Sequence, residues 1–426
     1  MTTETAVRTH FAPAAFRHAE ALLSELLRTT LPADAVVSRY FRDHRELGHG
    51  DRGLVAETVF AVLRRKRSLL ARCAGEASSR RLLLAALGCL QGMSRRQLAP
   101  LLSESESRWL AQAKALRSED LSPAVRLDLP DWLYAEFMAQ YAADEVEPLV
   151  AALNQPAPLD LRVNPLRRER QEVLARLLAD GLAGVPCLYS PLGIRLRGKP
   201  ALAQHPLFVD GSIEVQDEGS QILGFLLQPK RGEMVADFCA GAGGKTLLLG
   251  ALMRSQGRLY AFDVAEHRLA RLKPRLARSG LSNVHPVRIE SERDAKIRRL
   301  AGKLDRVLVD APCSGLGTLR RNPDLKWRQT PESVGELCAK QAAILAAAAS
   351  LVKSGGRLVY ATCSLLEAEN ETVVESFLAQ HPEFVSCSAQ AILARQGIVI
   401  DTGDRLRLLP HRHATDAFYA AVMERK

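Results

Sequence analysis

The stretch Met234-Val235-Ala236-Asp237-Phe238-Cys239-Ala240-Gly241-Ala242-Gly243-Gly244-Lys245-Thr246 decides the fold. Met234 to Phe238 read as a short strand, the glycine-dense turn follows, and Leu247 to Leu252 continue as an apolar helix. Such a turn lets the backbone approach a ligand closely and aims the first amides of the helix at it. Three more apolar or β-branched runs, Arg258 to Phe262, Arg306 to Val309 and Arg357 to Ala361, are separated by helix-compatible segments. The alternation predicts an α/β, Rossmann-like, doubly wound and mostly parallel sheet, with ligands gathered at the carboxyl ends of its strands.

Those strand ends carry the chemistry. Gly244-Lys245-Thr246 looks like the close of a phosphate-binding P-loop, but that motif needs a glycine five residues earlier, where Cys239 stands. The run Leu259-Tyr260-Ala261-Phe262 ends at Asp263, 22 residues beyond Gly241. A carboxylate there is placed to accept hydrogen bonds from ribose hydroxyls, which points to an adenosine-type cofactor.

The next two strand ends deliver Asp310-Ala311-Pro312-Cys313-Ser314-Gly315 and Ala361-Thr362-Cys363-Ser364. One cysteine would read as a small apolar residue. Two on the same sheet edge, one beside Asp-Ala-Pro, suit methylation of a pyrimidine at C5. That carbon is a poor nucleophile until a thiolate adds to C6 and makes it enamine-like. The C5 proton must then leave and the thiolate be expelled, a step that a second thiol or another base assists. Asp310 is placed to hydrogen-bond the N3/N4 edge of a cytosine and stabilise the charge that develops there.

Outward from this region the character changes. Ala19, Leu22, Leu23 and Leu26 share one helical face, as do Val55, Val59, Val62 and Leu63, and the first 120 or so residues read as helices only. Arg64-Arg65-Lys66-Arg67, Arg80-Arg81 and Arg95-Arg96 read singly as solvated faces and together as an RNA-facing surface. Ser118 to Pro123 resemble a linker. Pro158 to Asn164 and Gly193 to Arg197 then alternate as strands do, and Arg167, Arg168 and Arg170 lead into a short helix between them. The expected division is 1–125 all-helical, 126–230 a linker helix with a small α+β unit, and 231–426 the catalytic domain. Ala342 to Ala349 suggest a tightly packed core helix. Lys326-Trp327, after Arg320-Arg321, reads equally as a patch that stacks a flipped base or as packing for the loop after Cys313.

Composition narrows the class. A chain of 426 residues with 47% hydrophobic and 25% charged residues holds two to three globular domains and is neither disordered nor fibrous. Lys plus Arg number 58 against 48 Asp plus Glu, a surplus of +10 that favours polyanionic partners. Eight scattered cysteines without a CxxC pair argue against a disulfide framework and a zinc site, and His267, His285, His411 and His413 are not spaced as ligands, so no metal is expected. The opening Met1-Thr2-Thr3-Glu4 lacks a leader pattern and no apolar run approaches 18 residues, so a cytoplasmic protein without membrane contact is expected.

Taken with Leu161 to Leu166, Val215 to Gln221 and Arg321 to Trp327, the glycine loop and the two cysteine motifs resemble the S-adenosylmethionine-dependent RNA (cytosine-5) methyltransferases. The likeness spans almost the whole chain and is greatest to the Fmu/Sun type that acts on 16S ribosomal RNA. It implies that Cys363 is the nucleophile and that Cys313 helps release the product. It also implies that the backbone from Cys239 through Ala240, Gly241, Ala242, Gly243 and Gly244 to Lys245 cradles S-adenosylmethionine, that Asp263 holds its ribose, and that Asp310 lies between cofactor and base. For the carboxylate that meets the adenine, Glu290 is chosen over Glu292 and Asp294. The front end resembles the antitermination factor NusB, and the middle unit resembles the family's small RNA-binding subdomain. RNA, most of all 16S ribosomal RNA, is the implied partner of a monomeric enzyme. Two departures stand out: Gly241-Ala242 replace the family's Ala-Pro, and Asp416-Ala417-Phe418 replaces Asp-Gly-Phe. The alternatives are a silent RNA-binding assembly factor and a methyltransferase of transfer RNA.

Overall fold

The computed structural model describes residues 11–73 and 75–426. The opening Met1-Thr2-Thr3-Glu4, and with it the expectation drawn from it, lies outside the described residues. Two compact units emerge: one takes the chain up to Asn154 together with Leu319–Gln329, the other Gln155–Thr318 and Thr330–Lys426.

The first unit is helical throughout its described residues. Both expected faces are in its core: Ala19, Leu22 and Leu23 from the helix Pro13–Arg28, and Val55, Val59 and Val62 from His49–Arg64, are fully buried. The helices run past the expected boundary at 125. Pro123 opens a short helix instead of a linker, and Asp131–Gln140 and Ala143–Leu153 follow in the same unit. Polar ties secure that extension: Asp128 accepts from Ser68 N at 2.8 Å and Ser68 Oγ at 2.9 Å, and Arg67 donates to the Leu129 carbonyl at 2.6 Å.

Arginines of two of the three basic runs have partners within the helical unit. Arg64 donates to Arg320 O, Arg65 pairs with Asp128, Arg67 with Asp131, Arg80 with Glu106 and Arg81 with Glu76. Arg95 and Arg96 stay exposed. Residues 319–329 settle the choice over Trp327 in favour of packing. Its Nε1 donates to Leu63 O at 2.6 Å, Lys326 Nζ donates to Arg64 O at 2.8 Å and Asn154 Oδ1 at 3.0 Å, and Asp324 accepts from Ala33 N at 3.2 Å. Lys326 is fully buried by these contacts.

The second unit holds two sheets. The small one comprises β1 (Leu159–Val163), β2 (Gly184–Pro186), β3 (Gly193–Leu196) and β4 (Ile213–Val215) in the antiparallel order β2-β3-β1-β4, with the helix Arg170–Ala179 packed against it. The large one contains β5 (Met234–Asp237), β6 (Arg258–Asp263), β7 (Val284–Arg288), β8 (Leu304–Asp310), β9 (Val352–Thr362), β10 (Phe384–Cys387), β11 (Leu406–Leu408) and β12 (Phe418–Arg425). Its path is β10-β12-β9-β8-β5-β6-β7, with β11 beside β12. From β7 through β9 the neighbours are parallel, whereas β12 runs antiparallel to β9, β10 and β11. Val307, Leu308, Val309, Leu358, Val359 and Tyr360 are fully buried, as strands covered on both faces require.

The chain leaves β5 towards β6 on one side and returns to β8 on the other, so the carboxyl end of β5 is the switch point where a ligand crevice opens. The alanine-rich run lies in the helix Pro331–Ala349. One face, with Ile344, Leu345, Ala348 and Ala349, is buried, while Ala342 and Ala346 are exposed, so this helix covers the sheet and is not enclosed in a core.

Candidate active site

A cavity of about 670 Å³ lies over the ends of β5, β6, β8 and β9. Cys239, Ala240, Gly241, Ala242, Gly244, Lys245, Asp263, Asp310, Cys313 and Cys363 all line it. Four expected strand ends thus converge on one space. Gly241 adopts φ +54°, and a Cβ there would meet nothing within 4 Å, so the turn faces open cavity. Gly243 does not line it, contrary to expectation. Its φ is +86°, and a Cβ would meet Leu272 Cδ1 at 2.1 Å, so this glycine serves the approach of the neighbouring helix Glu266–Ser279.

The loop is held from beneath. Asp263 accepts from Gly241 N at 2.8 Å through one oxygen and from Ala265 N at 2.7 Å through the other, fixing the turn while its carboxylate stays on the cavity wall. Arg162 donates to Gly244 O at 2.6 Å and to Gln216 Oε1. Thr246 Oγ1 donates to Asp237 Oδ2 at 2.7 Å, and burial pushes Asp237 up to about 7. In a P-loop that hydroxyl and the lysine serve a nucleotide phosphate and its metal. Here Lys245 Nζ reaches Asp310 Oδ2 at 2.6 Å instead. Burial works against the Lys245 charge, but Asp310 outweighs it and the lysine is held above its usual range.

Glu290, contrary to expectation, does not line the cavity. Its side chain is 76% exposed beside Arg288, while Ile289 and Glu292 line the cavity. Asp294 caps the short helix Ala295–Arg298 by accepting from Lys296 N at 2.8 Å. Ala417 needs no special backbone; its N–H donates to Gly317 O at 2.9 Å, and Phe418 beside it lines the cavity with Lys245 Nζ 5.6 Å from its ring.

At the other end of the cavity the two thiols meet, Cys313 Sγ and Cys363 Sγ lying 3.4 Å apart. The hydrogen bond to Cys363, then burial, then nearby negative charge push the Cys313 thiol well above its ordinary range. Sequence reasoning missed what holds the pair. Ser314 and Ser364, each following a cysteine, both bond to Glu369, and Asn370 accepts from Thr362 Oγ1 and donates to Ser364 O at 3.2 Å. The spacing Thr362-Cys363 to Glu369-Asn370 was the available signal, since a turn of that length returns to its own strand end.

The surroundings thus offer an adenosine-sized cradle and a pair of thiols in one cavity, and comparison with known proteins agrees. Residues 224–424 match the family described as 16S rRNA methyltransferase RsmB/F, and residues 129–202 match the RsmF/B-like, ferredoxin-like domain. A probable ribosomal RNA small subunit methyltransferase B of Synechocystis sp. is 39% identical over 311 residues, 73% of this chain and 70% of the relative. The chain belongs to the 16S rRNA methyltransferase RsmB/F family. The ribosomal RNA small subunit methyltransferase B of Sodalis glossinidius is 34% identical, over 78% of this chain and 73% of its own. The crystal structure of PH0851 superposes with a TM-score of 0.80 at 26% identity, covering 97% of this chain and 99% of that one.

The enzyme is accordingly an S-adenosylmethionine-dependent rRNA methyltransferase. The open face at Gly241, the Asp263 carboxylate and a cavity within the size range of small-ligand sites fit that cofactor. No helix among the described residues is long and apolar enough to cross a membrane. Among those residues one group, His18, His44 and Glu46 in the helical unit, brings three potential metal ligands within 4.8 Å, far along the chain from the residues that line the cavity.

Proposed function

We propose that this methyltransferase modifies C5 of a cytidine in 16S ribosomal RNA through a covalent bond between Cys363 and C6. The observation that carries the reading is the pair of thiols 3.4 Å apart on the cavity that also holds the glycine turn and Asp310. A methyltransferase acting on a nitrogen or oxygen needs no thiol, because those atoms carry their own lone pair; C5 does.

The Cys363 thiolate adds to C6, and the electron pair moves to C5. Asp310, facing the same cavity, hydrogen-bonds the N3/N4 edge and aligns the base, and the Lys245 cation paired with it offsets the negative charge that develops on the ring. Lys245 keeps Asp310 oriented at 2.6 Å. The bound cofactor supplies the methyl group as a sulfonium. The C5 proton then passes to a base such as a water molecule, the C5–C6 double bond re-forms and Cys363 is expelled as the thiolate, with the Cys313 S–H 3.4 Å away donating to the leaving sulfur. The backbone of Cys239 to Ala242, with Gly244 and Lys245, cradles the cofactor, Asp263 takes its ribose hydroxyls, and Glu292, in place of Glu290, meets the adenine amino group. The helical unit and the small sheet are assigned to RNA. The target base is unpaired or flipped out, since C6 is attacked from above the ring plane.

The test is transfer from methyl-labelled S-adenosylmethionine to unmodified small-subunit RNA, digested to nucleosides. The wild type is expected to yield labelled 5-methylcytidine and Cys363→Ala none. Label in another nucleoside, or undiminished transfer by Cys363→Ala, overturns the reading.

A further inference from the structure

In the helical unit, His18 on the helix Pro13–Arg28 meets His44 and Glu46 at the end of the helix Ala33–Asp43. Glu46 Oε1 lies 2.9 Å from His44 Nδ1 and 3.7 Å from His18 Nε2, and the three residues each bring a ligand atom within 4.8 Å of the others. Two neutral imidazoles and one carboxylate are the donor set of a borderline divalent cation such as zinc, whereas magnesium and calcium select oxygens. With bonds of about 2.0–2.2 Å, neighbouring ligand atoms of a tetrahedral zinc site stand about 3.3 Å apart. The separations of 2.9 and 3.7 Å fall on either side of that value, each by about 0.4 Å, a gap that small side-chain rotations close.

One buried side chain holds both rings. The Tyr40 hydroxyl lies 3.0 Å from His18 Nδ1, and the Tyr40 ring packs on that of His44 with centroids 4.2 Å apart. With the Nδ1 proton directed to the Tyr40 oxygen, His18 presents the lone pair of Nε2 towards Glu46, as outer partners commonly arrange for histidine ligands. The turn that carries the other two residues is fixed as well: Arg52 donates from Nε to Leu47 O at 2.9 Å and from Nη2 to His44 O at 3.3 Å. Arg42 and Arg45 are exposed beside Glu46 in the chain, yet among the described residues no lysine or arginine pairs with this carboxylate, whose ion-pair partners are the two histidines. A histidine–glutamate hydrogen bond needs only one imidazole. Here a second converges on the same oxygen with an outer partner of its own, and a dication satisfies three lone pairs at once where a shared proton satisfies two.

We propose that His18 Nε2, His44 Nδ1 and a Glu46 oxygen bind one zinc-class divalent cation. Three protein ligands leave the remaining coordination to solvent, unlike the closed four-ligand sites on which small zinc domains depend for folding. The helical unit has an apolar core of its own, so the ion is an exchangeable clasp between the helix Pro13–Arg28 and the turn after Ala33–Asp43. By binding the folded state alone it stabilises that state. None of its ligands lines the catalytic cavity, so the site is independent of the methyl-transfer reaction.

The experiment is calorimetric titration of ZnCl2 into the full chain, free of any affinity tag and carrying Cys313→Ser and Cys363→Ala so that the thiol pair takes up no zinc. One equivalent of Zn2+ is expected to bind, and excess Mg2+ is expected not to displace it. His44→Gln and Glu46→Gln, both at solvent-accessible positions, are each expected to weaken binding about tenfold or more. Tyr40→Phe, which keeps the ring and removes the hydroxyl, is expected to weaken it by about tenfold. No binding by the parent chain, displacement by Mg2+, or equal affinity in His44→Gln and its parent overturns the proposal and leaves the three residues as a hydrogen-bonded cluster. Should the doubly substituted chain not fold, the wild type and His44→Gln are titrated instead, and one fewer equivalent bound by the variant, or a site weakened about tenfold, is the expected difference; identical isotherms refute the site.

Discussion

Two lysines withdrawn from solvent in this chain titrate in opposite directions. Lys245 sits in the cavity against the carboxylate of Asp310 at 2.6 Å and is held above its usual range. Lys326 is buried in the helical unit against a carbonyl and an amide oxygen, with Arg64 and Arg65 near it and Asp128 attracting it, and burial pulls it down to about 7. Depth alone does not decide whether a buried amine keeps its charge. A carboxylate in direct contact does, because dipolar oxygens repay only part of the lost hydration. The cavity therefore stores a permanent cation for chemistry, and the docked segment 319–329 stores one that is lost near neutral pH.

The comparison breaks most visibly at Lys245. Lys245→Met leaves Asp310 without its partner, and methyl transfer is expected to fall about a thousandfold, on the order of 4 kcal/mol, as when one preorganised electrostatic contact is removed. Near wild-type kcat would show that the cation is not used.

Lys326 gives the next effect, and its sign follows from linkage. Its folded pKa of about 7 lies below the unfolded value of about 10.4, so between these the unfolded chain binds more protons. Stability of the helical unit is expected to rise with pH across that window, by on the order of 3 kcal/mol from pH 7 to 9.5. Urea unfolding at the two pH values measures it, and Lys326→Met is expected to remove the rise. An equal slope in that variant would place the titrating group elsewhere.

A smaller effect sharpens the same contrast. Trp327→Phe removes the hydrogen bond to Leu63 O, and unfolding should become easier by about 1 kcal/mol with cofactor affinity unchanged. A loss of RNA affinity without loss of stability would revive base stacking by Trp327. The smallest expected change is at the adenine end: Glu292→Gln should weaken S-adenosylmethionine binding about fivefold, and Glu290→Gln less than about twofold, by calorimetry. The reverse order would return the contact to Glu290.

Much of the catalytic sheet was legible because buried parallel strands announce themselves as short apolar runs, and strand ends on such a sheet share an edge. The four runs and the residues just after them were read within a few positions of β5, β6, β8 and β9. What escaped was long-range. Gly243 was read as part of the cradle because a glycine's neighbour across space, here Leu272, leaves no mark beside it in the chain. Glu290 and Glu292 differ only in the direction the loop after β7 takes. The basic runs and Lys326-Trp327 look like nucleic-acid signals from composition, and only the fold shows that Asp128, Asp131 and Glu106 consume several of the charges. Glu369 escaped for a related reason: a buried carboxylate bonded to two serines looks, in sequence, like any surface glutamate.

The central claim, that two adjacent thiols divide one reaction between them, is tested most directly by incubating wild type, Cys313→Ser and Cys363→Ala with unmodified small-subunit RNA and S-adenosylmethionine and running denaturing gels. A protein–RNA band that survives denaturation in Cys313→Ser and is absent in Cys363→Ala is the predicted result. The same band in Cys363→Ala, or its absence from both variants while the wild type methylates the RNA, would contradict it.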